Sequence, residues 1–237
     1  MSSHPRPFRA CLLSIGLTVW ASLHAPWAVA ATACSSDGHQ PPRVLVERFL
    51  PDSCTECWAR PTSPADRNAF VIDWIVPGTD PAAPMAAAAL PEAGTRLATL
   101  GYTADTPEPQ FWKWRHPVLP TPTGRLRVAQ GPVVDDYIGV SIAWAGKGPS
   151  GAVAGPVDAW LLLVEDLPPG TAGSPAARRL VRAAMSVEQV DLRQERWQER
   201  RSMRVPAGAD PARLRLLGWL SDNRGRFLAS AASHCPT

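Results

Sequence analysis

The chain has 237 residues, room for one large domain or two small ones, and 45% of them are hydrophobic, enough for a substantial core. Its formal charge is only +3, and without Arg6 and Arg9, which precede every acidic residue, 22 basic residues stand against 21 acidic ones. That near-balance excludes a nucleic-acid partner held mainly by phosphate contacts, which needs a clear basic excess.

The first 30 residues read as a secretory signal. Arg6 and Arg9 form a charged start, residues 10–23 a mostly apolar stretch, and Ala28-Val29-Ala30 a small-residue cleavage site. The apolar run is short for a membrane span, so no stable span is expected after cleavage. The expected location is secreted, in a bacterial periplasm. Ala31-Thr32-Ala33-Cys34 also places a cysteine after small residues, as in a lipoprotein, but without the aliphatic residue usually found three before it.

Export gives the cysteines their meaning. Cys11 leaves with the signal, and Cys34, Cys54, Cys57 and Cys235 remain. Four cysteines allow three pairings, all tolerated in an oxidising compartment. The simplest is Cys54 with Cys57 and Cys34 with Cys235, the second being a structural tie between the chain ends.

Residues 44–50 are apolar and β-branched, interrupted by Glu47 and Arg48, and predict a first strand. Pro51-Asp52-Ser53 is a turn, and Cys54-Thr55-Glu56-Cys57 follows it. A strand that ends in a turn and presents two cysteines two residues apart is the entry to a thioredoxin-like active site. The first thiol then sits near the free N–H groups of a helix start, which favour thiolate over thiol. The second, one turn in, closes the disulfide. Glu56 opposes a thiolate by like charge, and Arg60 offsets it. The helix predicted over residues 58–68 is broken by Pro61 and Pro64.

Residues 69–76 are almost continuously apolar, the pattern of a buried, central, parallel strand. Residues 77–91 read as loop, and residues 91–100 as a helix with Pro91 in its first turn and Gly101 past its end. Phe111-Trp112-Lys113-Trp114-Arg115-His116 is either a partner-binding surface or a buried aromatic plug with Lys113 and Arg115 reaching out to solvent. Residues 125–130 alternate like a strand and lead into Gly131-Pro132. Pro132 is the candidate for a cis-proline facing the dithiol, with a trans Gly-Pro turn as the alternative.

From residue 137 the pattern is β-rich. Residues 138–144 and 157–165 are strand candidates, residues 178–200 fit a helix or a strand, and residues 195–204 read as a solvated face. Residues 213–220 and 227–232 flank a hairpin turn at 221–225.

The stretch Val46-Glu47-Arg48-Phe49-Leu50-Pro51-Asp52-Ser53-Cys54-Thr55-Glu56-Cys57 distantly resembles the V-E-L-F-T-S-Q-G-C-S-S-C signature of the secreted family called domain of unknown function 1223. Ser63-Pro64-Ala65-Asp66 is similar to its P-P-A-D, Gln130-Gly131-Pro132-Val133-Val134-Asp135 to its T-P-Q-x-V-V-x-G, and residues 218–231 to its closing hairpin. Two departures stand out. Trp58-Ala59 replaces the prolines after the second cysteine, and Val76-Pro77-Gly78 replaces a stretch rich in histidine and tyrosine. The resemblance implies a thioredoxin-like half followed by a β-rich half.

The expected fold is therefore α/β: a signal over residues 1–30, a thioredoxin-like part over 31–136, and a β-rich, antiparallel, sandwich-like part over 137–237, the last two packed as one unit. The expected function is a thiol–disulfide oxidoreductase acting through Cys54 and Cys57, or a relic of one, with another protein as redox or binding partner. The alternatives are a non-catalytic envelope binding or structural protein on the same scaffold and a copper-binding accessory protein. Two thiolates suit copper(I), but a metal needs further ligands, and His116 and His234 lack a diagnostic spacing. No cofactor is implied, and no Ser-His-Asp set, phosphate loop or paired carboxylate motif stands out.

Overall fold

The computed structural model describes residues 33–61, 63, 66, 68–102, 112–119, 124–146 and 157–236. The signal over residues 1–30, the break at Pro64 and the start of the aromatic segment at Phe111 lie outside them. Residues 31–237 form one compact unit.

The chain runs β1 (Cys34–Ser35), β2 (Val44–Pro51), α1 (Thr55–Ala59), β3 (Phe70–Val76), α2 (Pro91–Thr99), β4 (Trp112–Pro117), β5 (Gly124–Val134), β6 (Tyr137–Gly146), β7 (Val157–Leu167), β8 (Arg178–Val190), β9 (Arg196–Arg204), β10 (Leu214–Asp222) and β11 (Phe227–Ala232). Seven strands form one sheet in the order β11-β10-β7-β8-β3-β2-β4, and four form a second in the order β1-β5-β6-β9. β2 and β8 both run parallel to β3; the other neighbours are antiparallel.

This corrects the expected α/β class. Of the described residues 53% lie in strands and 14% in helix, and α2 is the one helix of more than five residues among them. The chain is not a thioredoxin-like α/β fold. The overturning contact is the pairing of Asp73 on β3 with Leu180 on β8. Through it β7, β10 and β11 extend the N-terminal sheet instead of packing on it as a separate layer. Position 136 falls in the two-residue turn between β5 and β6. Helical cover is scarce because α1 stops before Pro61 and the Ala-rich stretch after β3 makes a single 3₁₀ turn, Ala86–Ala88.

The cores follow from strand alternation. On one face of the long sheet, Leu161 and Leu163 of β7 and Leu216 and Leu220 of β10 meet Val128 of β5 and Ile142 and Trp144 of β6. On the other face, Phe49, Trp74, Trp160 and Trp219 are covered by Ala93 and Leu97 of α2. α2 also drives Arg96 into this face. Its guanidinium donates from Nε to Glu47 Oε1 at 3.0 Å and from Nη2 to Oε2 at 2.7 Å, and lies 5.3 Å from the ring centres of Trp160 and Trp219. The aromatic segment after residue 111 is β4, an edge strand. Trp112, Trp114 and His116 face inward, while Lys113 and Arg115 reach Asp66 at 2.5 and 3.3 Å.

Candidate functional site

The disulfide stands at the C-terminal end of β2, where the strand leaves the sheet. Cys54 N–H donates to Pro51 O at 3.0 Å, closing the turn. Asp52, only 3% exposed, fastens that turn to its surroundings. Its N–H donates to Val76 O at 3.0 Å, its carbonyl accepts from Met85 N–H at 3.0 Å, and its carboxylate accepts from Gly78 N–H at 2.7 Å. A Cβ at residue 78 would stand 2.7 Å from Asp52 Oδ1, so only glycine lets the loop after β3 approach this closely.

Cys54 caps α1: its Sγ accepts from Cys57 N–H at 3.2 Å, and Cys54 and Cys57 are joined by a disulfide. The two sulfurs differ in access. Cys54 is half-buried, whereas Cys57 is 1% exposed among Leu50, Trp58, Ile75, Leu167 and Leu180. α1 is five residues long and ends at Arg60, extended ahead of Pro61. So few peptide units align little dipole, and the local stabiliser of a Cys54 thiolate is the Cys57 N–H itself. Glu56 and Arg60 are both exposed, so solvent screens their effect on the thiols.

Distant residues hold the far end of α1. Trp58 Nε1 donates to Ala172 O at 2.8 Å. Arg178, from the start of β8, donates through Nη2 to the carbonyls of Trp58 and Arg60, and its guanidinium carbon lies 5.0 Å from the Trp58 ring centre. The last carbonyls of α1 are thus satisfied by a buried cation rather than by further helix.

Cys34 and Cys235 are joined by a second disulfide, 201 residues apart in sequence, beside the β1–β5 pair. Pro132 and the dithiol stand on different sheets. Pro132 lies exposed at a bulge of β5, in the four-stranded sheet, and no peptide bond among the described residues is cis. Gly131-Pro132 lies inside one strand, β5, rather than between two, and β5 belongs to the other sheet. His116 Nε2 lies 3.0 Å from Glu47 Oε2, and His234 stacks on His39 with ring centres 3.8 Å apart. Among the described residues no group of three or more His, Cys, Asp or Glu side chains could hold a metal ion. Asp52, Gly78 and Arg178 escaped sequence reasoning. The Pro77-Gly78 pair after a strand is a local signal for the second, whereas Arg178 lies 118 residues from Arg60 and carries none.

No family model matches the chain. No curated protein matches it either. Among solved structures, HBP35 of Porphyromonas gingivalis is similar at 10% identity and a TM-score of 0.47, over 82% of this chain and 76% of that one. A likeness at that level identifies neither fold family nor function. No helix among the described residues is long and apolar enough to cross a membrane.

Proposed function

We propose that the protein is an exported thiol–disulfide oxidoreductase of an oxidising compartment such as the bacterial periplasm, with Cys54 and Cys57 as its redox pair and another protein's disulfide as substrate. The observation that supports this most is the asymmetry of the pair: Cys54 is half-exposed at the start of α1, and Cys57 is buried one turn in. Two disulfides in one chain support the compartment. The motif over residues 46–57 supports kinship with the domain of unknown function 1223 family.

In the reducing direction the Cys54 thiolate attacks one sulfur of a substrate disulfide. A mixed disulfide forms and the first substrate thiolate leaves. The Cys57 thiolate then attacks the Cys54 sulfur, the second substrate thiolate leaves, and the Cys54–Cys57 disulfide is restored. Two electrons pass to the substrate, and each released thiolate takes a proton from water. The oxidising direction is the reverse.

Cys57→Ser is expected to trap a mixed disulfide through Cys54, and Cys54→Ser to trap nothing. Iodoacetamide labelling of the reduced protein across pH measures the Cys54 pKa. A value at or above the free-thiol range of about 8.5, with no reduction of insulin, would assign the pair a structural role in closing the turn ahead of α1. The protein would then be a non-catalytic binding protein on the same scaffold.

A further inference from the structure

Three ionisable side chains share a buried site on adjacent strands. Arg48 of β2, Asp73 of β3 and Arg178 of β8 are 4%, 0% and 3% exposed. Arg48 Nη2 donates to Asp73 Oδ2 at 2.6 Å, and Arg178 Nη1 lies 3.7 Å from Asp73 Oδ1. One carboxylate therefore faces two guanidinium groups. Desolvation pushes the Asp73 carboxyl up against the pull of both arginines, so Asp73 supplies one negative charge at most. The other acceptors of Arg178 are neutral: Ser174 Oγ and the carbonyls of Trp58 and Arg60. Among the described residues Arg48 Nε and Arg178 Nη1 have no hydrogen-bond partner. A buried cation without a matching anion is costly.

A cavity of about 400 Å³ opens beside them, lined by Arg48, Arg178 and Arg179 and by Asp66 and Asp166. The two carboxylates on its wall are already committed. Asp66 holds Lys113 at 2.5 Å and Arg115 at 3.3 Å, and Asp166 holds Arg179 at 3.3 Å. At the buried end of the cavity Arg48 and Arg178 thus share the single carboxylate of Asp73, an excess of one positive charge.

We propose that this cavity binds a small oxyanion, a carboxylate or a phosphate, on Arg48 and Arg178, with Arg179 at its mouth. Guanidinium groups suit this role because their planar donor forks match the oxygens of either anion and they stay charged when buried. The volume admits an anion of a few heavy atoms up to a small metabolite.

Calorimetric titration of the purified protein in dilute chloride buffer, with inorganic phosphate and separately with succinate, tests this. One-to-one saturable binding of at least one anion is expected, and the tighter of the two tells a tetrahedral from a planar ligand. Arg48→Met should weaken it at least tenfold and Arg179→Ala at least threefold, while Arg125→Ala, an exposed cation on β5, should leave it unchanged. If Arg48→Met does not fold, Arg179→Ala decides alone. No saturable binding of either anion by the wild type, or wild-type affinity in Arg179→Ala, would overturn the proposal and leave the cavity a water-filled void.

Discussion

Glu47 shows how much rests on one side chain. It is fully buried, and burial alone would raise its pKa, yet Arg96 and His116 hold it down to about 2, from an ordinary value of 4.5. Because the folded value is the lower one, the stabilisation is complete above about pH 4.5 and is lost as pH falls toward 2. A shift of this size corresponds to about 3 kcal/mol. Urea unfolding of the wild type should therefore lose about 2 kcal/mol of stability between pH 4.5 and pH 2.5. Glu47→Gln strands the Arg96 guanidinium among Trp160, Trp219 and Phe227, and should cost about 3–5 kcal/mol at pH 7. Its deficit against the wild type should shrink as pH falls through the same window. A constant deficit would mean that Glu47 acts by packing and not by charge. Glu47 was legible as an interruption of the strand over residues 44–50, but its partner was not, since Arg96 lies 49 residues on.

The β5–β6 hairpin carries an element-scale conflict. Val134 pairs with Tyr137, leaving a two-residue loop in which Asp135 and Asp136 have φ of 48° and 62°. Both are left-handed, as the twist of a tight hairpin demands, and glycine at the second loop position is preferred for that reason. Aspartate there costs about 1–2 kcal/mol of backbone strain, while glycine costs about 0.5–1 kcal/mol of chain entropy. The difference favours Asp136→Gly by about 0.5 kcal/mol, and a raised midpoint of urea unfolding should report it. A lowered midpoint would mean that the aspartate side chain contributes more than the strain it brings. The fate of α1 follows from the same kind of local chemistry. Pro61 forbade a long helix, and the structure ends α1 at Ala59. What no local signal announced is that Arg178 and the Ala172 carbonyl take over the tethering that further helical turns would supply.

For the whole molecule the decisive surface lies between the two sheets. A Cβ on Gly218 of β10 would stand 2.8 Å from Val128 Cγ1 and 3.0 Å from Ile142 Cδ1, both on the opposing sheet, and 3.4 Å from Trp160 O. The residue has room for nothing larger, and the two sheets pack tightly there. Gly218→Ala should cost about 1–3 kcal/mol by overpacking, read as a lower thermal midpoint with secondary structure retained. Val128→Ala in the same chain should recover part of the loss, because it opens the space that the new methyl group needs. If the two losses simply add, the inter-sheet contact is looser than the distances indicate. The Cys34–Cys235 disulfide ties the ends of this assembly, and over 201 residues such a bond contributes about 2–5 kcal/mol.

Sequence alone determined most of the parts. The strands at residues 44–50, 69–76, 138–144, 157–165, 213–220 and 227–232 and the helix at 91–100 all follow from periodicity, turn residues and end signals, which are local and act within a few residues. The cysteine pair at the end of β2 and the short life of its helix were local too. Tertiary structure decided how the strands assemble. That β8 runs parallel to β3 through Asp73 and Leu180, that β5 joins the second sheet and takes Pro132 with it, and that Arg178 secures α1 are all choices among partners some tens to more than a hundred residues apart. Alternation marks which face of a strand is buried but not which strand lies beside it. That choice is made by how all the buried faces close against one another, and so it emerged only with the two sheets in place.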